Sequence, residues 1–253
     1  MPLHRDDFLD RATRDAVEAF VAFCAAADQK QKSARIYAIG DIHGCADLLI
    51  ALLAAIRAAH PDDRPCRLIF LGDLVDRGPD SAKTVAMVRA LQDLAPWGRV
   101  ECLRGNHEQM MIDWFRQGDE LWLANGGVST IRTFGLVEGD EEAFADAVAW
   151  MEALPTWREG GLQIFVHAGL RPGVPLDRQS DNDRLWIREG FLDVEHDFGK
   201  HVIHGHTPQL GGPDRRRFRT NIDTGAVYGG ALTAAVLDET SSAPLGFLRV
   251  PAS

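Results

Sequence analysis

Short apolar runs alternate with helically spaced ones along the first half of the chain. Residues 36–39, 67–71 and 100–103 are aliphatic and aromatic runs of strand length, and residues 47–59, 81–94 and 109–116 repeat apolar positions at helical spacing. Each run ends in a glycine-containing polar motif before its helix begins. Strands separated by helices of this length predict βαβ units and a largely parallel sheet, so the chain is read as α/β. Ahead of this rhythm, Phe8, Leu9, Ala12, Ala16, Ala19, Phe20 and Phe23 predict a helical segment over 6–32. Past residue 140 the pattern changes. A helix is expected over 140–153 and strands over 162–167, 201–204, 219–223, 231–237 and 245–250. These strands are expected to form a second sheet packed on the first, with the polar segment 171–199 as an insert over one face.

In parallel sheets ligands bind at the carboxyl ends of strands, and the three polar motifs stand there. They read GDIHG (40–44), GDLVDRG (72–78) and RGNHE (104–108). Farther on, VHAGL (166–170) and HGHT (204–207) carry His167 and His206. Glycine permits the tight turns and close approaches that crowded ligands need. Asp, His and Asn supply oxygen and nitrogen donors that suit Mn, Fe or Zn better than Ca. Two such ions ~3.5–4 Å apart can clamp the attacking and leaving oxygens of a phosphoryl transfer. Asp73, in the middle motif, is a candidate for a bridging carboxylate. The spacing predicts a metal-dependent phosphoesterase without fixing which residue holds which ion.

Taken in order, these motifs and DTGAVYGG (223–230) resemble the signature of the phosphoprotein phosphatase (PPP-type) family within the calcineurin-like metallophosphoesterases. The resemblance covers about residues 35–237. It implies a sandwich of two packed β-sheets flanked by helices (α-β-β-α), with a catalytic domain over 34–253 behind a helical extension, 1–33. It implies a dinuclear centre of two divalent ions, manganese first among the candidates. Asp41 and His43 would bind one ion, Asn106, His167 and His206 the other, and Asp73 both. A metal-activated hydroxide would attack phosphorus in line. His107 would be the general acid, oriented by Asp76, and Arg77, Arg104 and Arg188 would hold phosphate oxygens.

NGGVSTIRTFG (125–135) and the short C-terminal part are similar to the bacterial and bacteriophage branch of that family, which points to a serine/threonine or broad-specificity protein phosphatase. The rival expectation is a symmetrical diadenosine tetraphosphate hydrolase. That branch tends to carry Ala where this chain has Asp76, and protonation matters more for an alkoxide leaving group than for a nucleotide. A non-catalytic metal-binding interaction module is the remaining alternative.

Composition modifies this picture in two places. The formal net charge is −10, which argues against general nucleic-acid or anionic-membrane binding. A phosphorylated protein or small phosphoester remains the expected partner, because metals and arginines can make one pocket locally positive. The four cysteines form no CxxC pair, and the first twenty residues are acidic and amphipathic. Reduced thiols in the cytoplasm, without a secretory signal or membrane span, are therefore expected. Of the remaining features, Cys45 is read as a structural thiol, and Trp114, Trp122, Trp150 and Trp157 as core. Residues 215–219 are read as a solvated basic turn, and His204 as packed near the site. His4, His60, His196 and His201 are read as surface or loop residues.

Overall fold

Side-chain alternation along the strands sets the layers. In β1 (Arg35–Ile39), Tyr37 and Ile39 pack beneath helices, whereas Ile36 and Ala38 face a second sheet. β2 (Cys66–Phe70) does the same, with Leu68 and Phe70 toward the helices and Ile69 toward the second sheet. The inter-sheet layer is completed by Leu71, Leu103, Phe165, Ile203 and Ile222. The computed structural model describes residues 5–27, 33–61, 64–95, 99–136 and 141–252.

The first sheet has the order β10-β9-β1-β2-β3, with β3 over Val100–Cys102, β9 over Ala231–Asp238 and β10 over Gly246–Pro251. β1, β2 and β3 are parallel, joined through α2 (Ala46–Ala59) and α3 (Ser81–Leu94), and α4 (Asn106–Gln117) leaves β3. The second sheet has the order β4-β5-β6-β8-β7. There β5 (Gln163–Val166), β6 (His201–His204) and β8 (Arg219–Asn221) are parallel, and β4 (Trp157–Glu159) and β7 (Asp214–Arg215) are antiparallel edges.

The expectation that the late strands all join the second sheet needs correction. β9 runs antiparallel to β1, Ala38 opposite Ala235, and β10 follows on β9, so both complete the first sheet. β9 places Leu232 and Ala234 toward the helices and Ala235 and Leu237 toward the second sheet. Being apolar on both faces requires a central position, but does not say in which sheet. The edges β4 and β7 went unread because WRE and DR carry no apolar alternation.

α1 (Arg11–Ala27) lies against α2 and α3, with Val17, Phe20 and Cys24 buried in the same cluster as the first sheet. Residues 1–4 and 28–32 of the expected extension, His4 among them, and residue 140 lie outside the described residues. α5 (Val128–Thr133) and α6 (Glu141–Glu152) extend this helical layer. The outer face of the second sheet is covered by the insert, including α7 (Asp181–Trp186), through Leu170, Ile187 and Phe191 on Ile164, Val166 and Val202. Among the described residues, no helix is long and apolar enough to cross a membrane.

Of the histidines expected at the surface or in loops, His60 lies in the turn after α2 but is buried, and His201 is buried within a strand. His60 Nδ1 is 3.0 Å from the Tyr37 hydroxyl, and its Nε2 is 2.8 Å from the Arg64 carbonyl. His201 opens β6, with Nε2 2.8 Å from Thr220 Oγ1 on the neighbouring strand, and burial pulls it down to about 4. Because the folded value is depressed below 6.5, its contribution to stability is intact above pH 6.5 and is lost as pH falls toward 4. Replacing it, as in His201→Gln, should flatten the pH dependence of the unfolding free energy by on the order of 1 kcal/mol per pH unit in that window. Urea unfolding across the window measures this, and an unchanged slope would refute it.

Candidate metal centre

Six parallel strands end at one edge of the sandwich, and each delivers a polar residue there. β1, β2 and β3 lead to Asp41, Asp73 and Asn106, and β5, β6 and β8 lead to His167, His206 and Asp223. All six are buried. The glycines before them keep the tips close: a methyl at Gly105 would collide with Asp73 Oδ1, and one at Gly205 with Asp41 Oδ1.

Among the described residues, every non-glycine residue at positive φ belongs to this pocket: His43, Asp73, Asp76, Arg77 and His206, with φ between 47° and 77°. Such backbone costs roughly 1–3 kcal/mol per residue and persists only where surrounding contacts enforce it. Glu108 enforces it at Asp73. Its carboxylate accepts from the N–H groups of Asp73 (2.8 Å), Leu74 (2.7 Å) and Gly105 (2.8 Å), tying the β2 tip to the start of α4. Burial, then the Asp73 charge, push Glu108 up to about 7 against these donors.

Asp73 is the hub. Its Oδ1 accepts from the His107 N–H at 3.0 Å and lies 3.4 Å from His167 Nε2, and its Oδ2 lies 3.5 Å from His43 Nε2. Donor atoms converge in two triplets that share it, His43–Asp73–His107 and Asp73–His167–His206, each within 4.8 Å. Asn106 Oδ1 joins the second, 2.8 Å from both His167 Nε2 and His206 Nδ1. Asp41 belongs to neither triplet but adjoins them, accepting from the His206 N–H at 3.1 Å.

This donor set fits divalent cations. His43 and His167 fix their Nδ1 on the carbonyls of Val75 (2.8 Å) and Leu71 (2.9 Å), which aims Nε2 into the pocket. Burial pulls His43 down to about 3 and His206 down to about 2, so both are neutral at physiological pH and offer free nitrogen lone pairs. His206 Nε2 is buried without a partner. Burial, then the charges of Asp223 and Asp73, push Asp41 well above the usual carboxylate range, and burial pushes Asp223 up to about 7. Carboxylates so crowded are a natural cradle for positive charge.

Beside the hub, His107 Nδ1 lies 2.6 Å from Asp76 Oδ2. Burial opposes the charged imidazole, but the carboxylates of Asp73 and Asp76 outweigh it and hold His107 above its ordinary value. Of the three arginines, Arg77 places Nη1 2.8 Å from His43 Nε2, and Arg188 reaches to 3.5 Å from the His206 carbonyl. The charge of Arg188 is felt at His167, His206 and Asp223. Arg104 precedes Gly105 with a buried, unpartnered Nε, and its charge is felt at Glu152 and Asp181.

Residues 34–230 match the calcineurin-like phosphoesterase family. The chain belongs to that family. It is a hydrolase of phosphoesters, with the two packed sheets and flanking helices of calcineurin-like enzymes. It is 34% identical over 214 residues to serine/threonine-protein phosphatase 1 of Salmonella typhimurium, covering 79% of this chain and 90% of that one. It is 31% identical over 245 residues to an asymmetrical bis(5'-nucleosyl)-tetraphosphatase of Geobacillus, covering 86% and 97%. A solved serine/threonine phosphatase from Saccharomyces cerevisiae superposes with a TM-score of 0.61 at 15% identity, covering 95% of this chain and 89% of that one, which is a likeness of fold.

Sequence reasoning gave no role to Asp223 or Glu108. Asp223 had a signal, since it follows β8 as the other five follow their strands. Glu108 sits in RGNHE, but its three backbone partners become evident only in the fold. His204, as read, packs outside the triplets, against Phe191 and Arg219.

Because a ligand that binds only the folded state stabilises it, Mn²⁺ at 100 times its Kd should add about 2.7 kcal/mol to the metal-free protein. Asp73→Asn should abolish most of that gain. Thermal unfolding with and without Mn²⁺ is the measurement, and an equal gain in the variant would remove Asp73 from the ligand set.

Proposed function

We propose that this phosphoesterase is a metal-dependent phosphomonoesterase, acting as a serine/threonine or broad-specificity protein phosphatase. The observation that carries the reading is the buried Asp76–His107 pair, 2.6 Å apart, standing against Asp73. Such a pair serves a leaving group that must be protonated, as a serine or threonine alkoxide must and a nucleotide phosphate need not. The 34% identical Salmonella relative, a serine/threonine phosphatase, supports it.

Asp41, His43 and Asp73 would hold one divalent ion, and Asp73, Asn106, His167 and His206 the other, manganese being the expected metal for this mixed oxygen and nitrogen set. When bound, the pair supplies charge neutralisation for the phosphoryl group and water acidified toward a pKa of ~7. The protein's own groups do the rest. Arg77 and Arg188 orient phosphoryl oxygens through planar guanidinium forks, and Arg104 is proposed as a further contact. Asp76 holds the Nδ1–H of His107, leaving Nε2 to deliver a proton to the departing oxygen. The four free cysteines support a cytoplasmic setting.

Symmetrical diadenosine tetraphosphate hydrolysis is the second reading; a 34% identical relative of Methylococcus capsulatus named as a symmetrical bis(5'-nucleosyl)-tetraphosphatase favours it, whereas the Geobacillus relative is named as asymmetrical. A panel with Mn²⁺ separates the two: phosphopeptides and p-nitrophenyl phosphate should turn over faster than diadenosine tetraphosphate, and the reverse order would sink the monoesterase reading. His107→Asn should slow alkyl phosphates by about 10²–10⁴ and aryl phosphates much less, because an aryl oxide leaves with little help. Equal losses on both esters would count against the general-acid role.

A further inference from the structure

The segment from Trp122 to Thr133 has no part in the ligand set, yet it surrounds Asp76. Trp122 is 0% exposed, and its indole Nε1 lies 2.9 Å from both Asp76 Oδ1 and Oδ2. Thr130 Oγ1 donates to Asp76 Oδ1 at 2.7 Å and accepts the Asp76 N–H at 3.0 Å. Ser81 Oγ, at the start of α3, lies 3.0 Å from that N–H and from Thr130 Oγ1. The backbone between Trp122 and Thr130 is shaped to this end. The tight turn at Leu123–Gly127 bends at Gly126, with φ 108°, and a side chain at Gly127 would collide with the indole. Trp114 and Phe144 pack on the same indole, with ring centroids at 4.9 and 5.9 Å.

We infer that Trp122 and Thr130 are positioning residues for the proton donor. Rotation of the Asp76 carboxylate would break the shared indole bond, the threonine bond or the histidine bond. With Trp122 and Thr130 in place, Oδ2 is committed to His107 Nδ1, and the opposite edge of the imidazole is held toward the phosphoryl pocket. The indole and the hydroxyl also place donors on both oxygens of the buried carboxylate, beside the bond that Oδ2 makes to His107. This inference rests on His107 being the general acid.

The test uses Trp122→Phe, Thr130→Val and Thr130→Ser in the full chain. Thr130→Val is close to isosteric, so it carries the test even if the larger change at Trp122 prevents folding. With Mn²⁺, Trp122→Phe and Thr130→Val should lower kcat on an alkyl phosphate by about 10–100-fold, the usual effect of losing a partner behind an active-site group. KM should stay put, p-nitrophenyl phosphate should be far less affected, and Thr130→Ser should restore the rate. In a His107→Asn background, Thr130→Val should cost nothing more. Independently of activity, the Nδ1 proton of His107 in the metal-free protein should give an exchange-protected downfield NMR signal. That signal should be kept in Thr130→Ser and lost or shifted in Thr130→Val. Equal losses on both esters, a serine variant as slow as the valine one, or an unmoved Nδ1 signal would each overturn the inference. If His107→Asn itself slows both esters equally, the general-acid reading fails. If His107→Asn is selective and the clamp variants are not, only the clamp fails.

Discussion

Asp41, Asp73, Asp76, Glu108 and Asp223 are buried together at one edge of the sandwich, and the rest of the site is a set of answers to that concentration of acid. An ionised carboxylate removed from water must be compensated on the spot. Asp76 is answered by an indole, a hydroxyl and an imidazole. Glu108 is answered by backbone N–H groups, and Asp73 by a ring of imidazoles. Among the described residues, Asp41 and Asp223 accept only backbone N–H groups, from His206 and Gly225, and burial holds both above the usual carboxylate range, as it does Glu108. The unmet remainder faces the same space as the free Nε2 of His206. Charge balance therefore links the metal requirement to the fold itself.

The strained backbone belongs to the same constraint. Putting Asp73 and His43 into close convergence means turning the chain sharply just past the strands, which bulky residues resist. Glu108 and the docked glycines hold those turns. The chain's net charge of −10 is accordingly a poor guide to this pocket, because acids within it are engaged by imidazole, indole, hydroxyl and backbone donors.

How much of this was legible beforehand depended on distance along the chain. The first three βα units, Asp41, Asp73 and Asn106 could be read because strand, glycine, ligand and helix follow one another locally. His167 and His206 stand out in the same way, each at a strand tip beside a glycine-containing motif, and the resemblance to a known motif series adds only the roles expected of them. The placement of β9 beside β1 was hidden because strand pairing is a long-range choice that apolar pattern alone does not encode. The burial of His60 and His201 was hidden for a related reason: a histidine is polar in sequence, but partners such as Tyr37 and Thr220 make it an interior residue. Trp122 was legible as core, yet the use of its single N–H on Asp76, 46 residues away, was not.

Gathering the pocket from six strand tips has a consequence for how the protein comes into being. Asp41 and His206, which touch where the His206 N–H donates to the Asp41 carboxylate, are separated by 165 residues, and both sheets must dock before they meet. Contacts this remote form late and make folding slow, since a long loop must close before anything rewards it. A nascent chain emerging with Asp41, His43 and Asp73 already made would hold only half of the pocket. The complete centre assembles only after the chain is released through β8. The pocket is thereby a product of the nearly finished chain, and a chain that stops before β8 lacks His206 or Asp223, or the sheet that places them.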